Sequence, residues 1–176
     1  MPTPVHDPVH RASYVFEPDG ENLFVDAWLE PGGGLPPHLH PHQEERWSVV
    51  EGRARIRVGR EKREIGPENG VVVVPPGTTH GLDSVGERAH LRCHVIPALD
   101  LEEFLVDSAA AAREGLFMRG GIPRNLRGAR WAAGFLKRHR ETVVMTFPPR
   151  FVQSAMIALF ARSDDRGHVV RERDAV

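Results

Sequence analysis

The sequence predicts a mainly β protein that ends in a group of helices. About eight short segments between Tyr14 and Val95 are rich in β-branched and aromatic residues, and turns containing Gly or Pro separate them at regular intervals. No helical periodicity precedes Pro97. This spacing favours an antiparallel barrel or sandwich. Past Pro97 the period changes, which predicts about three C-terminal helices.

The predicted strands follow from their composition and alternation. Residues 23–29 alternate apolar and polar positions, as a strand with two unlike faces does, and 53–58 (RARIRV) alternate strictly. The run of four valines at 71–74 is typical of a strand buried on both faces. The other predicted strands are 14–17, 47–50, 64–65 and 90–95.

The predicted helices have recognisable start or stop signals. Asp100 is placed to cap the first helix, with Glu103 as the reciprocal partner of a capping box, and Gly115 ends it. The second helix is predicted over 126–140. The third is predicted over 150–161, after Pro148 and Pro149.

These elements divide the chain into four parts. The proline-rich residues 1–13 are predicted to be a flexible arm, and 14–97 to be the barrel. Residues 98–162 are predicted to be a helical extension. The charged residues 163–176 have no periodicity and are predicted to be a disordered tail.

Composition argues against several classes of function. With 23 basic and 24 acidic residues, the charge gives no basis for binding nucleic acid or an anionic membrane. No apolar run approaches the roughly 20 residues of a membrane-spanning helix, and the N-terminus has no signal-peptide pattern. The single cysteine, Cys93, fits a reducing compartment. We therefore predict a cytoplasmic protein.

A cluster of histidines and glutamates between Gly32 and Gly52 predicts a metal site. His38 and His40 lie two residues apart and share a strand face, and Glu44 or Glu45 can face them from the returning strand. His80 follows the break at Pro75–Gly77 and comes from a different strand. Three imidazoles and one carboxylate suit a divalent first-row metal, which is Fe, Mn, Ni, Cu, Co or Zn.

This pattern resembles the cupin superfamily. Its first motif, G-x5-H-x-H-x(3,4)-E-x6-G, is met by Gly32, His38, His40, Glu45 and Gly52, whereas Glu44 misses the spacing to Gly52. The resemblance implies a jelly-roll-like (double-stranded β-helix) barrel of the single-domain type. It also implies one metal ion, held by His38, His40, Glu45 and His80.

The second motif of that superfamily, G-x5-P-x-G-x2-H-x3-N, is met in its centre. Pro75, Gly77 and His80 match, whereas Asn69 stands at the first glycine and Ser84 at the final asparagine. These departures concern turns and leave the expected ligands intact. The helical tail is similar to that of uncharacterised actinobacterial cupin proteins.

Further site residues depend on which strand face points inward. If His90, Arg92 and His94 face the barrel interior, Arg92 is a candidate for binding a substrate carboxylate and His94 for moving protons. If Leu91, Cys93 and Val95 face inward, as apolar residues usually do, the polar trio is outer surface. His42 is a fifth ligand, an acid–base group or an exposed turn residue. Glu45 is a candidate base as well as a ligand, and Trp47 shares its face.

The resemblance implies a metal-dependent enzyme acting on a small organic molecule, with dioxygenase-type oxidative cleavage as the first expectation. The alternatives are a redox-neutral isomerase or cyclase with a Lewis-acid metal, and a non-catalytic binding or sensor barrel. The expected partners are a small-molecule ligand and a second copy of the chain in a homodimer. A group near the metal that can act as acid or base would favour catalysis.

Overall fold

The computed structural model describes residues 3–118, 121–147 and 149–160, without the side chains of residues 150 and 156. Two antiparallel sheets form a barrel, and helices follow it. The thirteen strands in the described ranges are β1 (Val5–Asp7), β2 (Ala12–Asp19), β3 (Asn22–Leu29), β4 (Gly34–Leu39), β5 (Glu44–Glu51), β6 (Ala54–Val58), β7 (Glu61–Ile65), β8 (Val72–Val74), β9 (His80–Ser84), β10 (Ala89–Ile96), β11 (Phe117–Met118), β12 (Ile122–Pro123) and β13 (Val144–Met145).

The larger sheet has six strands in the order β1-β2-β3-β10-β5-β8, and the second has five in the order β13-β4-β9-β6-β7. Strands β11 and β12 form a separate hairpin. Alternate residues of β3 and β10 are buried, among them Leu23, Val25, Leu91 and Val95. These side chains form the core between the two sheets, and the predicted mainly β class is confirmed.

Gly52 shows why the first motif needs a glycine at the end of β5. Its φ is +79°, and a Cβ there would lie 2.6 Å from the carbonyl oxygen of Arg88. Any other residue would therefore meet both backbone strain and a steric clash. The turn after β5 fixes where the strand ends, and so where Glu45 sits within it.

Ser84, which stands at the final asparagine of the second motif, anchors the turn before β4. Its hydroxyl donates to the carbonyl oxygen of Glu30 at 2.8 Å and accepts from the backbone N–H of Gly32 at 3.1 Å. The departure from the second motif therefore leaves the turn before β4 anchored to β9.

The described helices are α1 (Leu101–Arg113), α2 (Leu126–Arg138) and α3 (Arg150–Phe160), close to the predicted ranges. Asn125 caps α2, because its side chain accepts the backbone N–H of Gly128. None of the described helices is long and apolar enough to cross a bilayer. The predicted tail, 163–176, lies outside the described residues.

Two predictions near the ends of the barrel differ from the structure. Asp100 is the N-cap residue of α1, but its side chain makes no capping hydrogen bond, so the predicted capping box does not form. Its carboxylate bonds to the C-terminal segment instead. The predicted flexible arm contains β1, which pairs with β2, and Asp7 within it is buried.

Candidate metal centre

Three strands and the turn after one of them bring the four predicted ligands together. His38 lies on β4 opposite His80, the first residue of β9, and His40 follows the end of β4. Glu45 lies on β5 between β10 and β8. One ligand atom from each residue lies within 4.8 Å of all the others. This cluster can therefore hold one ion.

The three imidazoles are held in the same tautomer. Their Nδ1 atoms donate to backbone carbonyl oxygens, at 2.8 Å for His38 to Pro36, 3.1 Å for His80 to Thr78 and 2.7 Å for His40 to Thr142. A carbonyl only accepts, so each Nδ1 carries the proton in the neutral ring. The Nε2 lone pairs remain for a metal, as in protein sites where an outer partner orients each histidine.

Two buried ring nitrogens lie against the carboxylate of Glu45. Nε2 of His40 lies 3.0 Å from Glu45 Oε1, and Nε2 of His80 lies 2.7 Å from Oε2. Neither nitrogen has a properly directed hydrogen bond within the part of the chain that the structure describes. Buried polar atoms are normally satisfied, so the donor set fits a bound cation.

The charges of the cluster depend on one another. Burial by itself would raise the pKa of Glu45, but His40 and His80 outweigh it and hold that pKa well below its usual value. Burial and the neighbouring histidines lower the pKa of His38 to about 3. Burial would also lower the pKa of His40, but Glu45 reverses the effect and raises it. Glu45 is therefore ionised, and the imidazole of His38 is neutral and can offer its Nε2 lone pair to a metal.

Trp47 is a further partner of the carboxylate. Its indole Nε1–H donates to Glu45 Oε2 at 2.8 Å, and both side chains are buried. The hydrogen bond fixes one oxygen of Glu45 and helps to keep it ionised. Trp47 was predicted to share the face of Glu45, and it lines the cavity beside it.

The cluster forms part of the wall of a cavity of about 180 Å³. Barrel residues such as Val25 and Val95 line one side. Apolar side chains of α1 and α2 line the other, including Phe104, Leu105, Trp131, Ala132 and Phe135. The helices thus cover the mouth of the barrel, which the sequence left undecided.

The C-terminal segment also contacts the ligands directly. Strand β13 pairs with β4, placing Met145 opposite His38, and the carbonyl oxygen of Thr142 accepts from His40. Asp100 holds this segment, since it accepts hydrogen bonds from His139 Nδ1 at 2.7 Å and from the hydroxyl of Thr142. The orientation of His40 therefore depends on residues about 100 positions away.

We expect Asp100→Asn to weaken zinc binding about tenfold, because outer-shell partners typically contribute 10–100-fold to metal affinity. It should also lower the free energy of unfolding by about 1–3 kcal/mol, through loss of a charged acceptor for buried His139. Competition with a chromophoric chelator and urea unfolding measure the two effects. Asp107→Asn, on the same helix and paired with Arg138, is the control. Equal affinities of the two variants would contradict the prediction.

Arg92 and His94, predicted as candidate catalytic residues, lie on the outer face of β10. Leu91, Cys93 and Val95 occupy the inner face, because burying apolar side chains is the more favourable choice. Arg92 pairs with Asp26 and Glu17, and His94 pairs with Asp19. His90 pairs with Asp26 on the same face. The structure therefore places none of these three beside the metal cluster.

His42 does not reach the cluster either. Its side chain is 59% exposed and lies 3.2 Å from Glu141. The sequence did not reveal the roles of Gln43 and Thr142. Gln43 is buried, and its amide donates to the carbonyl oxygens of Pro97 and Ala98, which ties the ligand turn to the start of α1. In the sequence, the only indication of a role for Gln43 was its position between His40 and Glu45.

The fold and cluster define a β-barrel protein with a buried site of three histidines and one glutamate. Residues 27–97 match the family model Cupin_2, described as a cupin domain. A solved RmlC-like cupin from Shewanella frigidimarina has a TM-score of 0.50 and 21% identity, over 55% of this chain and 86% of that one. Residues 27–97 therefore form a cupin domain, which confirms the resemblance over that part of the chain.

Two curated relatives differ in activity. Mannose-1-phosphate guanylyltransferase ManC of Salmonella typhimurium is 33% identical over 87 residues, which are 44% of this chain and 18% of that enzyme. An oxidoreductase of Arthrobotrys oligospora is 28% identical over 103 residues, which are 54% of this chain and 41% of that protein. The matches thus span less than half the length of either relative.

Proposed function

We propose that this protein binds one divalent transition metal through His38, His40, Glu45 and His80 and is a metal-dependent enzyme acting on a small, largely apolar molecule. The first candidate reaction is oxidative cleavage with dioxygen. The observation that carries the proposal is that the ligand cluster lines an apolar cavity closed over by α1 and α2. Most binding sites of this kind combine an apolar lining with a few placed polar groups.

The size and lining of the cavity limit the ligand. A cavity of about 150 Å³ accepts benzene, so the 180 Å³ present here suits a molecule of about one ring. The described residues of the lining include no lysine or arginine. Apart from the proposed metal, a phosphate would therefore find no cationic side chain in this lining, which favours an uncharged one-ring molecule over a sugar phosphate.

The resident metal would supply Lewis acidity and, if redox-active, the electrons for oxygen chemistry. The chain itself provides the rest of the site. Glu45 offers one negative charge against a dication, so the site keeps a net positive charge that favours anionic oxygen donors. Phe104, Trp131 and Phe135 would pack against a ring and exclude water from it.

Metal analysis and oxygen consumption test this proposal. The purified protein is assayed for bound metals, and then loaded with iron(II) or zinc and mixed with 4-nitrocatechol, a one-ring diol whose absorbance reports its ionisation. We expect one metal per chain, binding of the diol by both forms, and oxygen uptake by the iron form alone. Binding without uptake would overturn the oxidative reaction, and failure to hold any metal would overturn the whole proposal.

A further inference from the structure

A second pair of polar residues lines the cavity, on the N-terminal segment. Asp7, at the end of β1, accepts His10 Nδ1 at 2.7 Å, and both residues contribute to the cavity wall that also contains the metal cluster. Asp7 is 2% exposed and the side chain of His10 is 18% exposed. No site was predicted here, because the segment was predicted to be a flexible arm.

Asp7 is fully engaged as an acceptor. One oxygen receives the backbone N–H groups of Val9 at 2.8 Å and His10 at 3.0 Å, and the other receives the His10 ring. Burial would raise the pKa of Asp7, but these hydrogen bonds and the nearby imidazole outweigh it and hold the pKa below its usual value. Asp7 is thus a carboxylate, and its hydrogen bond keeps a proton on Nδ1 of His10.

The other ring nitrogen of His10 is left without a partner. Its Nε2 is shielded from solvent and makes no hydrogen bond to the residues that the structure describes. The bonds from Val9 and His10 N–H to Asp7 would hold this turn without an imidazole. A buried, unpaired nitrogen costs free energy, which a purely structural histidine has no reason to incur.

A carboxylate that orients a histidine in the wall of a cavity is the arrangement of a general base and its positioning group. We propose that His10 is an acid–base group of the cavity, positioned by Asp7, and that it acts on a weakly acidic one-ring ligand such as a phenol, a diol or an enolisable ketone. This inference rests on the proposed function, since the ligand would also reach the metal.

The step moves one proton and no electrons. Nε2 of His10 accepts a proton from an acidic O–H or C–H bond of the ligand, and the bonding pair stays on the ligand as an oxyanion or enolate. The imidazolium that forms is stabilised by the Asp7 carboxylate 2.7 Å from Nδ1. Returning the proton to the product restores neutral His10. Tyr14 is buried against the same cavity, and its hydroxyl lies near the charge of Asp7.

Nitrogen NMR of the zinc-loaded, histidine-labelled protein tests the inference. In the free wild type we expect His10 to be neutral with its proton on Nδ1, and to become an imidazolium when 4-nitrocatechol binds. Asp7→Asn should move part of the population to the Nε2–H tautomer, which a purely structural loss would not produce. A His10 signal unchanged by the bound diol would overturn the inference while leaving the metal site intact.

Binding titrations provide the second measurement. We expect His10→Gln to bind 4-nitrocatechol about tenfold more weakly at neutral pH and to leave the bound diol less ionised, with zinc content unchanged. His6→Gln is the matched control, because His6 lies on β1 in the same N-terminal segment but is exposed and bonds to Ser13. Equal binding by the two variants would overturn the role of His10. Failure of the zinc-loaded wild type to bind the diol would overturn the proposed function as well.

Discussion

Replacing Glu45 by glutamine is expected to weaken metal binding by more than about 100-fold, because the change removes the only anionic donor of the cluster. The substitution keeps the size of the side chain. The carboxylate is ionised in this site, and its oxygens lie 3.0 Å from His40 Nε2 and 2.7 Å from His80 Nε2. Metal content after dialysis and competition with a chelator measure the loss.

Glu44→Gln is the matched control for that experiment. Glu44 is the neighbouring glutamate with an acceptable distance from His40 in the sequence, but it pairs with Arg46 at 2.7 Å and lies on the opposite face of β5. The variant should bind metal as the wild type does. An equal loss of metal binding in both variants would contradict the assignment of Glu45 as the ligand.

Replacing Ala132 by tryptophan is expected to weaken binding of 4-nitrocatechol by more than about tenfold, with no change in metal content. Ala132 lies on α2, is 8% exposed and contributes to the cavity wall opposite the barrel. An indole at this position would occupy much of the 180 Å³ that the ligand needs. Overpacking should also lower the free energy of unfolding by about 1–3 kcal/mol.

Lys137→Trp is the control for the filled cavity, because it places the same side chain on the exposed part of the same helix. It should leave diol binding, metal content and stability close to those of the wild type. Diol affinity that is the same in Ala132→Trp and Lys137→Trp would place the ligand elsewhere and contradict the role of the cavity.

The barrel could be predicted because its signals are local. Alternation along 23–29 and 90–95 follows from the two faces of a strand, and the turns between strands depend on glycine and proline at fixed offsets. Strands β11 and β13, of two residues each, were not predicted, since so short a segment has no period to detect. Strand β1 was hidden in a proline-rich stretch for the same reason.

The two faces of β10 show what local sequence patterns could not predict. His90, Arg92 and His94 alternate with Leu91, Cys93 and Val95, so the sequence defined both faces but not which one meets the core. Packing against β3 and β5 decided that the apolar face is buried. The acidic partners of the polar face, on β2 and β3, lie 64 to 75 residues away in the chain.

Strand geometry predicted that His38, His40 and either Glu44 or Glu45 lie together, and the resemblance to the cupin motif indicated Glu45. The surroundings of these residues depend on tertiary packing. Thr142 meets His40 across 102 residues, the helices close the barrel mouth, and the Asp7–His10 pair joins the same cavity. Such contacts depend on how elements distant in the sequence pack together, and local periodicity does not predict that packing.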